Sequence, residues 1–256
     1  IQSRGEISGL GQPGRMMPKQ MPKKVAHLGW EKPWADLFAE WLGNEPERLS
    51  RRLVVVPTRE SGRRLRECLV SKAARDGRGA ILGPRVATPE DFFLPDKRMP
   101  DAIRWAGWLA VLRETSDAEV AALFPAGLAE TDDAWRLAVI RQIEQAREQL
   151  VSGNVNLAAV ARAVAGDNDR WKELEKLERH VVAKWKKWGF ADPVEAKQVR
   201  ALNPVCPQGV DEIVLAGVTD PTGLAVEAWR RLEAKGMAIT ILVGAPAELK
   251  HTIDEW

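Results

Sequence analysis

The chain has 256 residues, 45% of them hydrophobic, which is enough for a sizeable core in one large or two modest domains. Its 38 Lys and Arg against 36 Asp and Glu give a net charge of +2, so any nucleic-acid surface must be local. The two cysteines, Cys68 and Cys206, form no C-x-x-C pair, which argues against a disulfide framework or a zinc site and favours a reducing cytoplasm. Without an apolar run of about 18 residues or an export signal, no membrane partner is predicted.

Residues 1–24 are rich in Gly, Pro, Gln and Lys and have no periodic apolar face, so we predict a flexible leader. The leader contains a literal G-x-G-x-x-G at Gly9, Gly11 and Gly14. A dinucleotide loop needs a strand before this motif, and Pro13 falls inside it. We therefore interpret the match as accidental.

Residues 25–99 alternate between strand-like and helix-like segments. A strand over 24–29 leads, after Pro33, to a helix that reaches Leu42. A second strand, Leu53 to Val56, leads to a helix that reaches Ala74. A further short strand follows, then Arg85 in a loop and a helix start at Thr88. This alternation is typical of a parallel sheet covered by helices.

Residues 100–205 have the three- and four-residue apolar spacing of helices and lack β-branched runs. We predict an all-helical insertion with caps at Asp117, Asp132 and Asn168. Its clearest helices are Ala102 to Arg113, Asp132 to Leu150, Leu157 to Val164 and Asn168 to Trp188.

Residues 206–256 return to the αβ pattern. Strands over 211–218 and 237–243 flank a helix from Thr222 to Ala234, and another helix begins near the last residue. We expect the second part of the same α/β domain, truncated here. The predicted fold class is therefore α/β, a parallel sheet with helices on both faces, interrupted by the helical insertion.

The segment 51–69, RRLVVVPTRESGRRLRECL, is a strand, a turn and an arginine-rich helix. Such a unit directs hydroxyl, backbone N–H and guanidinium groups at one spot, where a phosphate could bind. The same pattern also fits an ordinary αβ unit whose arginines form a solvated helix face. Both interpretations stay open on the residues alone.

Most of the eleven tryptophans occur at helical spacing, which favours core packing over base stacking. Lys184, Lys186 and Lys187 surround Trp185 and Trp188 in a basic and aromatic cluster. An amphipathic helix with its Trp side chains inward explains this cluster at least as well as nucleic-acid binding does.

The order of four segments resembles the N-terminal region of AddB-type helicase-nuclease subunits, over residues 25–256. The segments are VVVPTRESGRRLRECL, LGPRVATPEDFF, a helical stretch ending WKELEKLERHVVAKWKKWGFADPVEA, and VDEIVLAGVTDPTGLAVEAW. These proteins are related to UvrD and RecB helicases. The resemblance implies a RecA-like first domain that has lost ATPase function, and a PD-(D/E)XK nuclease far downstream. The whole protein is then expected to be a helicase-nuclease subunit in double-strand-break repair and recombination.

The residues at the expected nucleotide site support the loss of ATPase function. Phosphate binding needs a Gly-rich loop ending in Lys and Ser or Thr, but here Gly29 stands alone and Lys32 precedes Pro33. Ala216 and Gly217 occupy the place of the helicase acidic pair.

Other acidic residues nearby do not replace that pair. Asp211 and Glu212 precede their strand, at the wrong end for a nucleotide, and Asp220 is interpreted as a helix cap. No protease, hydrolase or nuclease motif is present in the sequence. We therefore predict no catalytic residue, no cofactor and no metal in this chain.

The resemblance implies that the domain is retained to bind single-stranded DNA. Its implied phosphate contacts are Thr58, Arg59, Arg63 and Arg64, with Arg85 on the same sheet edge. With the helix predicted to begin near Ser61, Arg66 is expected on a different helix face from Arg59 and Arg63.

The sequence leaves two other functions open. The chain could instead be a scaffold that docks a partner helicase-nuclease subunit without touching DNA, which the near-neutral charge favours. A Rossmann-like enzyme ranks last because the Gly-rich loop after the first strand is missing.

Overall fold

The structure is a computed structural model that describes residues 24–128, 132–164 and 168–249. Its strands are β1 (Lys24–His27), β2 (Arg52–Val55), β3 (Arg85–Ala87), β4 (Glu212–Ala216) and β5 (Ala238–Val243). Its α-helices are α1 (Trp34–Gly43), α2 (Arg59–Arg75), α3 (Asp101–Glu114), α4 (Asp133–Ser152), α5 (Leu157–Ala163), α6 (Asn168–Lys187), α7 (Pro193–Leu202) and α8 (Gly223–Ala234). Residues 1–23, with the glycine motif of the predicted leader, lie outside the described residues.

The described strands form one parallel sheet in the order β1-β5-β4-β2-β3. In its centre Val54 of β2 pairs with Val214 of β4, and Ile213 of β4 pairs with Ile239 of β5. Strands buried on both faces are rich in β-branched and aliphatic residues, as here. The predicted α/β class with a parallel sheet is confirmed. The order, in which β5 and β4 separate β1 from β2, is consistent with the RecA-like arrangement.

The two faces of the sheet have separate cores because side chains alternate along each strand. On one face Val54 and Val56 pack with Phe38 of α1 and Leu65 of α2. On the other face Leu53, Val55 and Ile213 pack with Leu224 and Trp229 of α8. Helices therefore cover both faces.

The chain forms α3 to α7 between β3 and β4. Helices α3 to α6 contribute to a third core, in which the rings of Trp108 and Trp185 meet edge to face at 6.4 Å between centroids. Trp108 also donates its indole N–H to Glu144 at 2.6 Å. Core packing is confirmed for these two tryptophans. The division of the chain into sheet segments and an insertion stays a prediction.

A buried arginine joins three of these helices. Arg147 of α4 donates to Glu144 at 2.8 Å, to Glu178 of α6 at 2.6 Å and to Asp192 at 2.7 Å. Asp192 also accepts the backbone N–H of Val194 and so caps α7. Burial would lower the pKa of Arg147, but the attraction of the three carboxylates outweighs it and the pKa is raised. The same burial raises the pKa of Glu178.

Several predicted boundaries and caps need correction. Asp132 caps α4 as predicted, accepting the Trp135 backbone N–H at 2.7 Å. Asp117 is not a cap: Ser116 precedes the short 3-10 helix, and Asp117 accepts the Leu128 backbone N–H at 2.6 Å. Strands β1, β4 and β5 are shorter than predicted by two, three and one residues, and β2 begins and ends one residue earlier than predicted.

Candidate nucleic-acid interface

The carboxyl ends of the parallel strands share one edge of the sheet, which we call the carboxyl edge. The chain leaves β1, β2 and β4 there and enters α1, α2 and α8. Three helix N-termini, each with partial positive charge, therefore begin at this edge. In open α/β sheets this is the edge at which ligands bind.

The turn after β1 is closed by its own carboxylate. Gly29 has a φ of 80°, and a side chain at this position would collide with the Glu31 carboxylate. That carboxylate accepts the Trp30 backbone N–H at 3.0 Å. Lys32 extends away to Glu40 of α1, at 2.7 Å. The Trp30 backbone N–H and the Lys32 ammonium group are thus both already paired with carboxylates of this chain.

The end of β4, where helicases carry their acidic pair, is apolar. Ala216 is fully buried, and Gly217 has a φ of 72°. A side-chain carbon at position 217 would lie 3.1 Å from the Phe38 ring, which fills the space over the strand end. Thr222, not Asp220, caps α8 by accepting the Ala225 N–H at 3.3 Å, so the predicted role of Asp220 is wrong.

Glu212 lies at the opposite edge, at the start of β4, as the sequence indicated. Its buried carboxylate binds Arg52 at 2.8 Å and accepts the Thr240 hydroxyl at 2.7 Å. Burial would raise its pKa, but these hydrogen bonds outweigh burial and the pKa is lowered. The cluster holds β2, β4 and β5 together and is remote from the carboxyl edge.

The turn after β2 begins α2 with a capped N-terminus. Thr58 accepts the Ser61 backbone N–H at 3.1 Å, and the two hydroxyls lie 2.9 Å apart. Arg59 is the first residue of α2 and is exposed. Thr58 and Arg59 therefore lie together at the carboxyl edge, as predicted.

Two of the predicted phosphate contacts are already paired along α2. Arg63 donates to Glu67 at 2.5 Å and to Glu60, and Arg64 lies 3.4 Å from Glu67. The Arg63 hydrogen bond lowers the pKa of Glu60. All four side chains are exposed, and ion pairs of this kind add little to stability, so a phosphate could displace them.

Arg66 lies on the same helix face as Arg59, which corrects the expectation from the sequence. Because α2 already begins at Arg59, Arg66 follows two turns later, about 20° away around the axis at 3.6 residues per turn. Arg63 lies on this face as well, whereas Arg64 points toward a different side. Within the described residues neither Arg59 nor Arg66 has a carboxylate partner. We call Arg59, Arg63 and Arg66 the arginine face.

The predicted position of Arg85 is wrong. It is not in a loop after a strand but is the first residue of β3, paired in register with Leu53. Its guanidinium donates to the Gln208 carbonyl at 2.7 Å, in the loop that leads into β4. Arg85 therefore lies toward the opposite edge and does not converge with Thr58 and Arg59.

The basic and aromatic cluster of α6 is divided between core and surface. Trp185 is fully buried, and Lys184 binds Glu114 of α3 at 2.7 Å. Lys186, Lys187 and Trp188 are exposed. Packing of an amphipathic helix accounts for Trp185. Only the exposed residues at the end of α6 remain available to contact nucleic acid.

Two exposed tryptophans lie at the carboxyl edge, in the turn after β1 and at the start of α1. Trp30 is 68% exposed and Trp34 is 38% exposed, with the Trp34 ring 5.4 Å from that of Phe38. Core packing was predicted for most tryptophans from their helical spacing, so neither of these two was expected at the surface. For Trp30 the available signal was its position between Gly29 and Pro33, outside any helix, whereas Trp34 begins α1 and gave no such signal.

Neither a metal site nor a membrane span is found in the described part of the chain. Over residues 24–128, 132–164 and 168–249, no group of three or more His, Cys, Asp or Glu side chains is placed to hold a metal ion. No helix within these ranges is long and apolar enough to cross a membrane. Cys68 and Cys206 are both free, and burial raises the pKa of each thiol.

Comparison with known proteins gives no family assignment. No family model matches the chain, and no curated protein matches it.

Proposed function

We propose that this chain is a helicase-like domain that binds single-stranded DNA and does not itself hydrolyse ATP. The proposal extends to a cytoplasmic helicase-nuclease in double-strand-break repair, which rests on the resemblance of the four segments alone. The observation that carries DNA binding is the pair Arg59 and Arg66. Both are exposed on one face of α2, beginning at the carboxyl edge, and neither has a carboxylate partner in the described residues.

The spacing of this pair suits a nucleic-acid backbone. Seven residues of α-helix rise about 10.5 Å, and Arg63 lies between the two with pairings that a phosphate could exchange. Single-strand binding combines such cations with aromatic faces on which bases stack. Trp30 and Trp34, on the turn that leads into the neighbouring helix α1, are exposed and suited to that role.

The state of the nucleotide site supports the second half of the proposal. The Glu31 carboxylate lies in the loop where the resemblance places the phosphate, and Lys32 is followed by Pro33 instead of the Ser or Thr of a phosphate loop. Phe38 covers the position of the missing acidic pair beside Gly217. An ATPase needs both the phosphate loop and the metal-holding acid, so the remaining chemistry of the edge is binding.

The test is fluorescence anisotropy of a labelled single-stranded oligonucleotide, comparing wild type with an Arg59→Ala, Arg66→Ala double variant. The matched control is Arg162→Ala, Arg230→Ala, which removes the same charge from exposed positions on α5 and α8. We expect about hundredfold weaker binding in the first variant only, the scale of roughly two charge-assisted contacts. Equal losses of affinity in both variants would show that binding depends on net charge and not on these two arginines.

A scaffold that docks a partner subunit is the second candidate, and one observation favours it. Val199, Leu202 and Val205 are 52%, 45% and 60% exposed at and just after the end of α7, which is unusual for a short stretch of aliphatic residues. No DNA binding by the wild type at low salt would favour this candidate over the first.

A further inference from the structure

A cleft of about 840 Å³ lies between the segment that leads into α3 and the turn from α6 to α7. One wall is formed by residues 94–95, 97–101 and Arg104, and the other by residues 189–191, 193 and 196–197, with Glu148 of α4 also in the lining. Its volume falls within the range of about 300–1,000 Å³ that is typical of small-molecule sites. The cleft plays no part in the carboxyl-edge site described above.

The acidic groups in the cleft are already neutralised. Glu148 binds Lys197 and lies 3.6 Å from Arg104, and Asp101 binds Arg104 at 2.7 Å. Lys97 and Arg98 also line the cleft, are exposed, and have no carboxylate partner within the described ranges. The cleft therefore has a surplus of positive charge, concentrated at this pair.

The rest of the lining is largely apolar. Leu94, Met99, Phe190 and Pro193 line the walls and are partly buried. Met99 and Phe190 also pack on the core of the helices α3 to α6, which holds the two walls in place. An apolar lining with a few converging charges is the usual composition of a site for a small organic ligand.

The start of α3 adds to the positive character of the wall. Pro100 precedes α3 and makes no side-chain cap, so the first backbone N–H groups of the helix have no capping side chain. The N-terminus of a helix favours negative charge through these donors and the helix dipole. This feature reinforces the cationic pair but does not by itself define a site.

We propose that the cleft binds a small organic anion, a carboxylate or phosphate carried on an apolar or aromatic body. The anionic group binds Lys97 and Arg98, and the body packs between Met99 and Phe190. The assignment is independent of DNA binding, since it uses none of the arginine face.

The test uses two probes with the same aromatic body. 8-Anilinonaphthalene-1-sulfonate has a negative charge, and N-phenyl-1-naphthylamine is neutral; both fluoresce when bound in apolar surroundings. The variant Lys97→Glu, Arg98→Glu reverses the surplus charge at exposed positions, where folding is insensitive. The control Arg162→Glu, Arg230→Glu makes the same change at exposed positions on α5 and α8, outside the cleft lining.

We expect saturable sulfonate binding by wild type, weakened about tenfold by the cleft variant and unchanged in the control, on the scale of roughly one charge-assisted hydrogen bond. The neutral probe should bind wild type and the cleft variant equally. Ala196→Trp, which places an indole ring in the cleft lining, should weaken binding of both probes. Equal sulfonate binding in wild type and the cleft variant would overturn the proposal.

Displacement identifies the source of the anion. Release of the sulfonate by adenosine monophosphate would assign a phosphate, and release by indole-3-acetate would assign a carboxylate. If neither displaces it at millimolar concentration, the small-anion assignment fails. Displacement by a single-stranded oligonucleotide alone would also overturn it and give the cleft to nucleic acid.

Discussion

The Glu31 carboxylate accepts the backbone N–H of Trp30 at 3.0 Å, inside the turn that follows β1. A bound triphosphate would need this donor and would meet the negative charge of Glu31 at close range. The Glu31 carboxylate therefore takes the place that a bound anion would have in this turn, and the Trp30 N–H is paired without a nucleotide.

This relationship predicts that the chain does not hydrolyse ATP, and that Glu31→Gln does not restore hydrolysis. Removing the charge of Glu31 leaves Lys32 bound to Glu40 and leaves no acidic side chain at Ala216 or Gly217 to hold a metal. Phosphate release should stay at the level of a buffer blank for both proteins, with and without single-stranded DNA. ATP hydrolysis that co-elutes with the protein in size-exclusion chromatography would contradict the prediction.

Gly217→Ala is expected to destabilise the fold by about 2 kcal/mol, from strain at a positive φ and overpacking against Phe38. Gly189→Ala is the matched control, because Gly189 has a φ of 84° and open space around its Cα. Urea unfolding should show a clearly larger loss at position 217. Equal losses of unfolding free energy at the two positions would mean that the Phe38 ring moves to make room for the added methyl group.

Arg147→Met should destabilise the protein by about 3–5 kcal/mol, because it removes the buried cation that Glu144, Glu178 and Asp192 share. Arg141→Met on the same helix is the control, since Arg141 is exposed and lies 5.4 Å from the Trp105 ring. That change should cost about 1 kcal/mol or less. The measurement is denaturant unfolding at neutral pH, and comparable losses would refute the role of Arg147 as a hub.

Glu178 should make stability fall as pH rises. Burial raises its pKa above the ordinary 4.5, so the folded protein keeps this proton to higher pH than the unfolded chain does. The contribution of Glu178 to the free energy of unfolding therefore declines from about pH 4.5 upward and levels off above the pKa of the folded state.

The Glu178→Gln variant has no such proton, and every other titrating group is common to the two proteins. The difference in unfolding free energy, wild type minus variant, should therefore decrease between acid and neutral pH. Urea unfolding across that range measures it. A difference that increases with pH would show that the attraction of Arg147 exceeds the effect of burial.

Much of the sheet could be predicted because its signals are local. The apolar run at β2, the Pro57 and Thr58 turn and the arginine-rich helix lie within 19 consecutive residues, 51–69, and each has a distinct pattern. The same holds for β4, whose apolar run ending before Gly217 indicated a strand.

The errors at Arg66 and Arg85 have physical causes of a different kind. Placing the start of α2 near Ser61 left Arg59 outside the helix, and a two-residue shift in a helix end is enough to misjudge which side chains share a face. The predicted position of Arg85 depended on where a three-residue strand begins. The pairing of that strand with β2 is set by tertiary contacts. The Arg63 pairings with Glu60 and Glu67, by contrast, were visible as i, i+3 and i, i+4 spacings.

The most direct test of the central claim is the salt dependence of single-stranded DNA binding by wild type and by the Arg59→Ala, Arg66→Ala variant. If both arginines contact phosphates, the slope of log K against log salt should decrease in magnitude by about 1.4, or roughly 0.7 per lost contact. The Arg162→Ala, Arg230→Ala control should keep the wild-type slope. An unchanged slope in the first variant, or no binding by wild type at low salt, would contradict DNA binding by the arginine face.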